Sequence, residues 1–226
     1  LLAKVYLTQQ KWGLAMGTAG TVMSSGQYDL STTYDKIFRE EGENSKESVF
    51  EVQATASAQT QTANGVQYAQ IMGVRGAGSW DIGWGWNTPS TNLEAAYEPN
   101  DPRKNRTILY LSTTTTTNLS IYGEVMPVYT SPTGSPPNPR YNNKVYSNPA
   151  IRASVGHRFG YWMNIRLLRY ADVVLMYAEA ANEVGGATNI TAARTALNSV
   201  RARARSGAPA GTLPDVTTTD QATLRA

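Results

Sequence analysis

The sequence predicts a mainly α protein in which tetratricopeptide-like helical hairpins flank a long, loop-rich insertion containing short strands. Two hairpin patterns and the composition between them carry this expectation. The stronger pattern spans 164–205, NIRLLRYADVVLMYAEAANEVGGATNITAARTALNSVRARAR. Leu168, Ala171, Leu175 and Ala178 recur at helical spacing, and Leu167, Val174, Tyr177, Ala181 and Val184 line the adjoining face. Two apolar stripes predict a helix over 165–184 that is buried on most of its girth. Gly185 and Gly186 follow and can supply the left-handed residue that stops it. Beyond Asn189, the stripe Ala193, Leu197, Val200 and Ala204 marks a partner helix over 192–204. The second pattern opens the chain. Val5, Tyr6 and Leu7 lead to Trp12, and Ala15, Ala19, Val22 and Met23 stripe a second helix that Gly26 ends. Small residues there let two helices approach closely, with Trp12 as a core group between them.

One domain is expected over 1–226: a hairpin at 1–29, the insertion at 30–163, the second hairpin at 164–205, and a loop with the start of a further helix at 206–226. Within the insertion, Val49, Glu51 and Gln53 alternate with Phe50 and Val52, a period-two strand pattern. Ala54 to Asn64 is a polar surface loop. Ser90 or Thr91 caps a short helix to Tyr97, with Leu93, Ala96 and Tyr97 inward. Glu98 to Arg103 reads as a turn, and 107–122, with Ile108–Leu111 and the run Thr113–Thr117, suits strands. Residues 123–163 are proline-rich and irregular, with Tyr129, Tyr141 and Tyr146 read as exposed. Tyr161 and Trp162 are expected to seal the start of the long helix. Structureless stretches of this length inside a compact domain usually carry function.

Composition narrows the chemistry. Apolar residues make up 41% and charged residues 16%, which suits a folded protein with a polar, weakly charged surface. A net charge of +3 is too small to imply nucleic acid, and of Arg201, Arg203 and Arg205 only the first and last share a helix face. That face is expected to be solvated or to meet another segment. Without cysteine, disulfides, thiolate metal sites and a lipidated N-terminus within these residues are excluded. The most apolar segment, 165–184, contains Arg166, Arg169, Asp172 and Glu179, which a membrane span would not tolerate. The first residues fall in mid-helix and the last ones begin another, so the chain reads as an internal piece of a longer protein.

No catalytic constellation emerges. His157 is the single histidine, and the chain lacks a G-x-S-x-G elbow, an H-E-x-x-H pair, a P-loop and EF-hand spacing. Neither a cofactor nor a metal site is expected. Asp81, Glu94, Glu98 and Asp101 could in principle supply a glycosidase pair, but Glu98 and Asp101 stand where a turn needs polar caps. Binding has better materials. Trp80, Trp84 and Trp86 are separated by glycines and followed by Asn87. Aromatic faces stack on the C–H patches of sugars, while Asn, Asp and Arg satisfy hydroxyls. The candidate ligand-binding residues are Trp80, Tyr68, Arg75, Asp81, Trp84, Trp86 and Asn87. Trp84 and Trp86 are read first as rings packed on the scaffold; Trp80 is balanced between packing and ligand.

Arg169-Tyr170-Ala171-Asp172-Val173-Val174-Leu175-Met176-Tyr177-Ala178-Glu179-Ala180, with Asn198-Ser199-Val200-Arg201 in the next helix, resembles the SusD/RagB family of outer-membrane nutrient-binding lipoproteins. Trp84-Gly85-Trp86-Asn87 before Pro89 resembles another of its stretches. The resemblance implies a SusD-like α-α superhelix and noncatalytic capture of oligosaccharide or polysaccharide, less often peptide. It further implies delivery to a SusC-like TonB-dependent outer-membrane transporter, as in a starch utilisation system. The hairpins would dock on that transporter and the insertion would face the ligand. The place would be the extracellular face of the outer membrane, held by a lipid anchor outside this chain. Two rivals stand beside it: a tetratricopeptide-type scaffold binding only protein, and a glycoside hydrolase.

Overall fold

The structure, a computed structural model, describes residues 1–56, 66–76, 80–113 and 120–225. Helices α1 (Leu2–Thr8) and α2 (Trp12–Ser24) form the opening hairpin. The insertion carries α3 (Tyr34–Ile37), β1 (Ser48–Val52), α4 (Tyr68–Met72), α5 (Thr91–Ala95), α6 (Pro102–Thr107), β2 (Ile108–Tyr110), β3 (Arg140–Asn142) and α7 (Pro149–Val155). Strand β4 (Ile165–Arg169) runs directly into α8 (Tyr170–Val184), which pairs with α9 (Ala187–Ala204) before α10 (Gln221–Arg225). The protein is therefore mainly helical, with the expected hairpins at each end of the insertion.

Helix α8 is the centre of the frame, with α2 and α9 both packed along it. Nine of its fifteen residues are buried, which matches a helix enclosed on most of its girth. Small residues make the approach close. Ala15 and Ala19 are completely buried, and a Cβ on Gly20 would lie 3.4 Å from the Tyr177 ring. Trp12 is only half-buried, so it does not fill the hairpin core as expected.

The sequence pattern overran the start of α8. Residues 165–169 are a strand, not helix, pairing antiparallel with β1 through Phe50–Leu168, Glu51–Arg166 and Val52–Ile165. The helix starts where Asp172, at its third position, accepts a hydrogen bond from the Arg169 backbone N–H at 2.8 Å. Period two then takes Leu167 out to solvent, and Leu175 and Val184 also lie on the exposed face of α8. Gly185 has φ +74° but ψ −175°, so the turn uses a positive φ without the left-handed helical conformation. Helix α9 starts at Ala187, five residues before the expected position.

The insertion is better packed than its composition suggested. Val74, Ile82, Leu109, Leu111, Met126, Tyr141 and Tyr146 form one core, and Ala69, Val145, Tyr161, Trp162 and Met163 form another. Tyr141 and Tyr146 are thus interior, and Tyr129 is half-buried against the first of these cores. Trp162 donates to Glu40 at 2.9 Å and sits ahead of β4, not at the start of the long helix. The strand expected near 108 pairs as β2 with β3. The parts of the expected polar loop and threonine run at 57–65 and 114–119 lie outside the described residues. Ser90 Oγ caps α5 by accepting from Leu93 N at 3.1 Å. Leu93 and Ala96 nevertheless face solvent, because Glu94 holds α5 through Lys104 and Arg140 instead of through an apolar face.

Four acids between 40 and 51 root the insertion. Glu40 receives Trp162 and the Asn148 N–H, Glu43 receives the Asn164 N–H, and Glu51 receives the Asn164 amide. Glu47, with its side chain 1% exposed, faces Arg203 at 3.2 Å and Arg169 at 3.4 Å. Burial pushes the Glu47 carboxyl up, against the pull of Arg203 and Arg169. Arg203 is therefore a buried partner, not part of a solvated face. Its neighbours Arg201 and Arg205 pair with Glu98 and Asp215. Replacing Glu47 with alanine strands the buried Arg203 guanidinium, while Arg169 keeps Asp172, and the expected loss is about 3–5 kcal/mol. Urea unfolding of Glu47→Ala against the unchanged chain measures it; a loss under about 1 kcal/mol would contradict the clamp.

Candidate functional site

The site is built on the C-terminal end of α4, which Ala69, Tyr68 and Met72 seat on the core around Trp162. The final carbonyls of a helix have no partner within it. Here the tryptophan segment supplies them. Gln70 O accepts from Trp84 N at 2.8 Å, Ile71 O from Trp86 N at 3.0 Å, and Gly73 O from Gly85 N at 2.9 Å. Val74 O accepts from Ile82 N at 3.1 Å, and Ile82 is buried beneath. Glycine is required where the two segments touch: a Cβ on Gly83 would lie 2.4 Å from Gly73 Cα. Gly85 has φ +69°, and its Cβ would meet Arg75 and Tyr141.

With its backbone committed in this way, the segment sends two indoles outward. Trp84 is 41% exposed and Trp86 59%, their ring centroids 5.5 Å apart and their planes tilted by 57°. They border a cleft of about 640 Å³ lined by Arg75, Gly76, Asp81, Gly83, Trp84, Trp86 and Arg158. Arg158 donates to the Asp81 carboxylate and lies 4.7 Å over the Phe159 ring. Arg75 is exposed, and its backbone carbonyl accepts from the Tyr141 hydroxyl at 3.0 Å.

Of the residues singled out from sequence, the cleft brings together Arg75, Asp81, Trp84 and Trp86. It leaves out the other three. Trp80 is half-buried with its ring 5.9 Å from Tyr146, on the insertion core. Tyr68 packs beside the core around Trp162, where burial pushes its hydroxyl pKa up. Asn87 is exposed with φ +54°, near Met72 and outside the cleft lining. Trp84 and Trp86 are thus exposed where packing was expected, and the balance at Trp80 falls to packing. Trp84 and Trp86 are fixed through backbone, so their rings need no packing partner, whereas Trp80 lies over Tyr146. Sequence reasoning missed Arg158. Its partner Asp81 is 77 positions away, and only the Arg-Phe adjacency hinted at a placed cation.

The architecture is a helical frame carrying a separately packed insertion, with paired indoles on an open cleft. The SusD family profile matches residues 15–225, and the chain belongs to that family. SusD-like protein P2 of Formosa agariphila is 27% identical over 212 residues, covering 91% of this chain and 40% of the relative. Surface glycan-binding protein A from Bacteroides thetaiotaomicron, solved with laminarihexaose, superposes with a TM-score of 0.67 at 19% identity over 98% of this chain and 48% of that one. A SusD-like carbohydrate-binding protein from Bacteroides fragilis gives a TM-score of 0.70 at 19% identity, over 99% and 46%. The likeness to the solved structures is one of fold. The chain spans about half the length of those relatives.

The glycine contact predicts a sharp contrast. Gly83→Ala wedges the tryptophan segment off α4, and the expected cost is about 1–3 kcal/mol with altered tryptophan fluorescence. Gly17→Ala, mid-helix with nothing within 4 Å of its Cβ, is expected to stabilise by about 0.5–1 kcal/mol. Thermal and urea unfolding of both variants check the pair.

Proposed function

We propose that this protein binds oligosaccharide or polysaccharide at the Trp84–Trp86 cleft without transforming it. In this reading it serves at the extracellular face of the outer membrane and hands its ligand to a TonB-dependent transporter. The observation that carries the reading is the outward pair of indoles on a backbone-locked segment. Exposed, neighbouring aromatic faces are costly to leave in water and suit the apolar faces of sugar rings. Family membership and solved relatives described as glycan- or carbohydrate-binding support it.

The acids argue in the same direction. A glycosidase needs one carboxylic acid whose pKa is raised. Hydrogen bonds from Tyr110 and Arg140 hold Glu94 below the usual carboxylate range, and the Arg201 contact does the same to Glu98. Asp101 caps α6 through the Arg103 N–H at 2.9 Å. Asp81 is engaged with Arg158. Each of these four acids thus has a structural partner. No described helix is long and apolar enough to cross a membrane.

Native affinity gels containing laminarin or other polysaccharides test the reading. The full chain is expected to be retarded by at least one of them. Trp84→Ala with Trp86→Ala should weaken retention by roughly tenfold or more, since each stacked ring is worth about 0.5–1.5 kcal/mol beyond its buried area. Equal retention of the double variant would remove this cleft from the reading. Co-purification of a TonB-dependent transporter with the tagged protein from outer membranes tests the partner.

A further inference from the structure

The cleft holds an imbalance that stacking does not explain. Among the described residues, its lining side chains are mostly of donor type: the arginines Arg75 and Arg158 and the indoles Trp84 and Trp86. Among the described residues, the one side-chain acceptor group in the lining is the Asp81 carboxylate, and Arg158 already donates to it. The Arg75 guanidinium is in neither an ion pair nor a hydrogen bond among the described residues. Every other described arginine has at least one such partner, including Arg39 with the Tyr146 carbonyl and Arg194 with the Thr217 carbonyl. Two cations against one carboxylate leave the cleft with a net positive charge.

A sugar hydroxyl both donates and accepts, so a site for neutral glycans does best with both kinds of partner. A site rich in donors, carrying a spare forked cation beside aromatic faces, suits a ligand group that only accepts. Carboxylates and sulfate esters have that property, and guanidinium binds such planar or multidentate anions through paired, charge-assisted hydrogen bonds. We infer that the cleft is built for an anionic glycan, with Arg75 taking the uronate carboxylate or sulfate ester while Trp84 and Trp86 stack on the sugar. Arg158 is the second cation, and its sharing between Asp81 and the ligand tempers the attraction. This inference rests on the cleft's being the glycan site.

Matched polysaccharides test it on the full chain. Polygalacturonate is compared with its carboxyl-reduced neutral form, and a sulfated galactan with its desulfated form, by affinity gel and calorimetry. The expected result is that at least one charged form binds about tenfold or more tightly than its neutral counterpart. That ratio corresponds to about 1.4 kcal/mol. The preference should shrink as salt rises, because the contact is exposed. Arg75→Gln, on an exposed side chain, should bring the ratio toward one with an unchanged unfolding midpoint. A carboxylate-only preference assigns uronate, and a sulfate-only preference assigns the ester. Equal binding of charged and neutral forms overturns the anionic class while leaving glycan binding intact. Retention of none of the four, nor of laminarin, overturns the glycan reading and this inference with it.

Discussion

The structure depends on a ladder of carboxylates, Glu40, Glu43, Glu47 and Glu51, that reaches across more than a hundred positions to residues 148–203. Closing a loop of that size costs chain entropy, and burying acids costs desolvation, so weakly paired contacts would not hold it. Here each acid meets specific donors. Glu47 takes Arg203 and Arg169, and its own carbonyl accepts from Tyr170 N at 2.7 Å. Glu51, with a side chain 1% exposed, lies 3.5 Å from Arg166 and accepts from Asn164. The β1–β4 pair is mixed as a result: Glu51 and Arg166 are sequestered beside Val49 and Leu168, while Phe50, Val52 and Leu167 face outward. A one-residue slip would expel the ion pair together with Leu168 and Val49, so polar pairing and apolar burial fix this register jointly.

From that anchor the order of positioning runs inward to the cleft. The ladder fixes the segment 161–164, whose Tyr161, Trp162 and Met163 make the core on which α4 rests. Helix α4 offers its terminal carbonyls to Ile82–Trp86, and those bonds aim the indoles. Each step uses groups that need a partner regardless of ligand: helix carbonyls, buried acids, an indole N–H on Glu40. The rings are consequently held in place without any ligand. A preorganised platform loses little freedom on binding, which matters for ligands whose contacts are individually weak.

The frame was legible because its information is local. Alanine and apolar spacing at 171–181 and 193–204 records helices whose neighbours are themselves helices, and small residues at 15 and 19 mark close packing. The start of α8 is hidden from periodicity because Leu167 and Leu168 continue the helical spacing backwards into a strand. Asp172 was the available correction, an acid placed to cap Arg169. The insertion was less legible, since its cores join residues far apart: Val74 with Tyr141, Ala69 with Trp162. A proline-rich stretch such as 127–139 shows no periodicity, yet it delivers Tyr141 to a completely buried position. The acid run from Glu40 to Glu51 was the overlooked signal, dense in charge within a chain poor in it.

The same contrast explains why the tryptophans were the hardest residues to assign. Their abundance near glycine pointed correctly to a special segment, but burial statistics favour packed indoles. The exception arises because glycine at 73, 83 and 85 lets two backbones meet, so the segment is secured without using its side chains. Side chains released from structural duty are free for a ligand. That logic extends to charge: Arg201, Arg203 and Arg205 are tied to Glu98, Glu47 and Asp215, and Arg140 and Arg152 to Glu94 and Glu124. A net charge of +3 is small for the whole chain, yet the cleft carries two guanidinium groups against one carboxylate. The cleft is therefore one place on the surface where aromatic faces and an arginine without an ion pair among the described residues occur together.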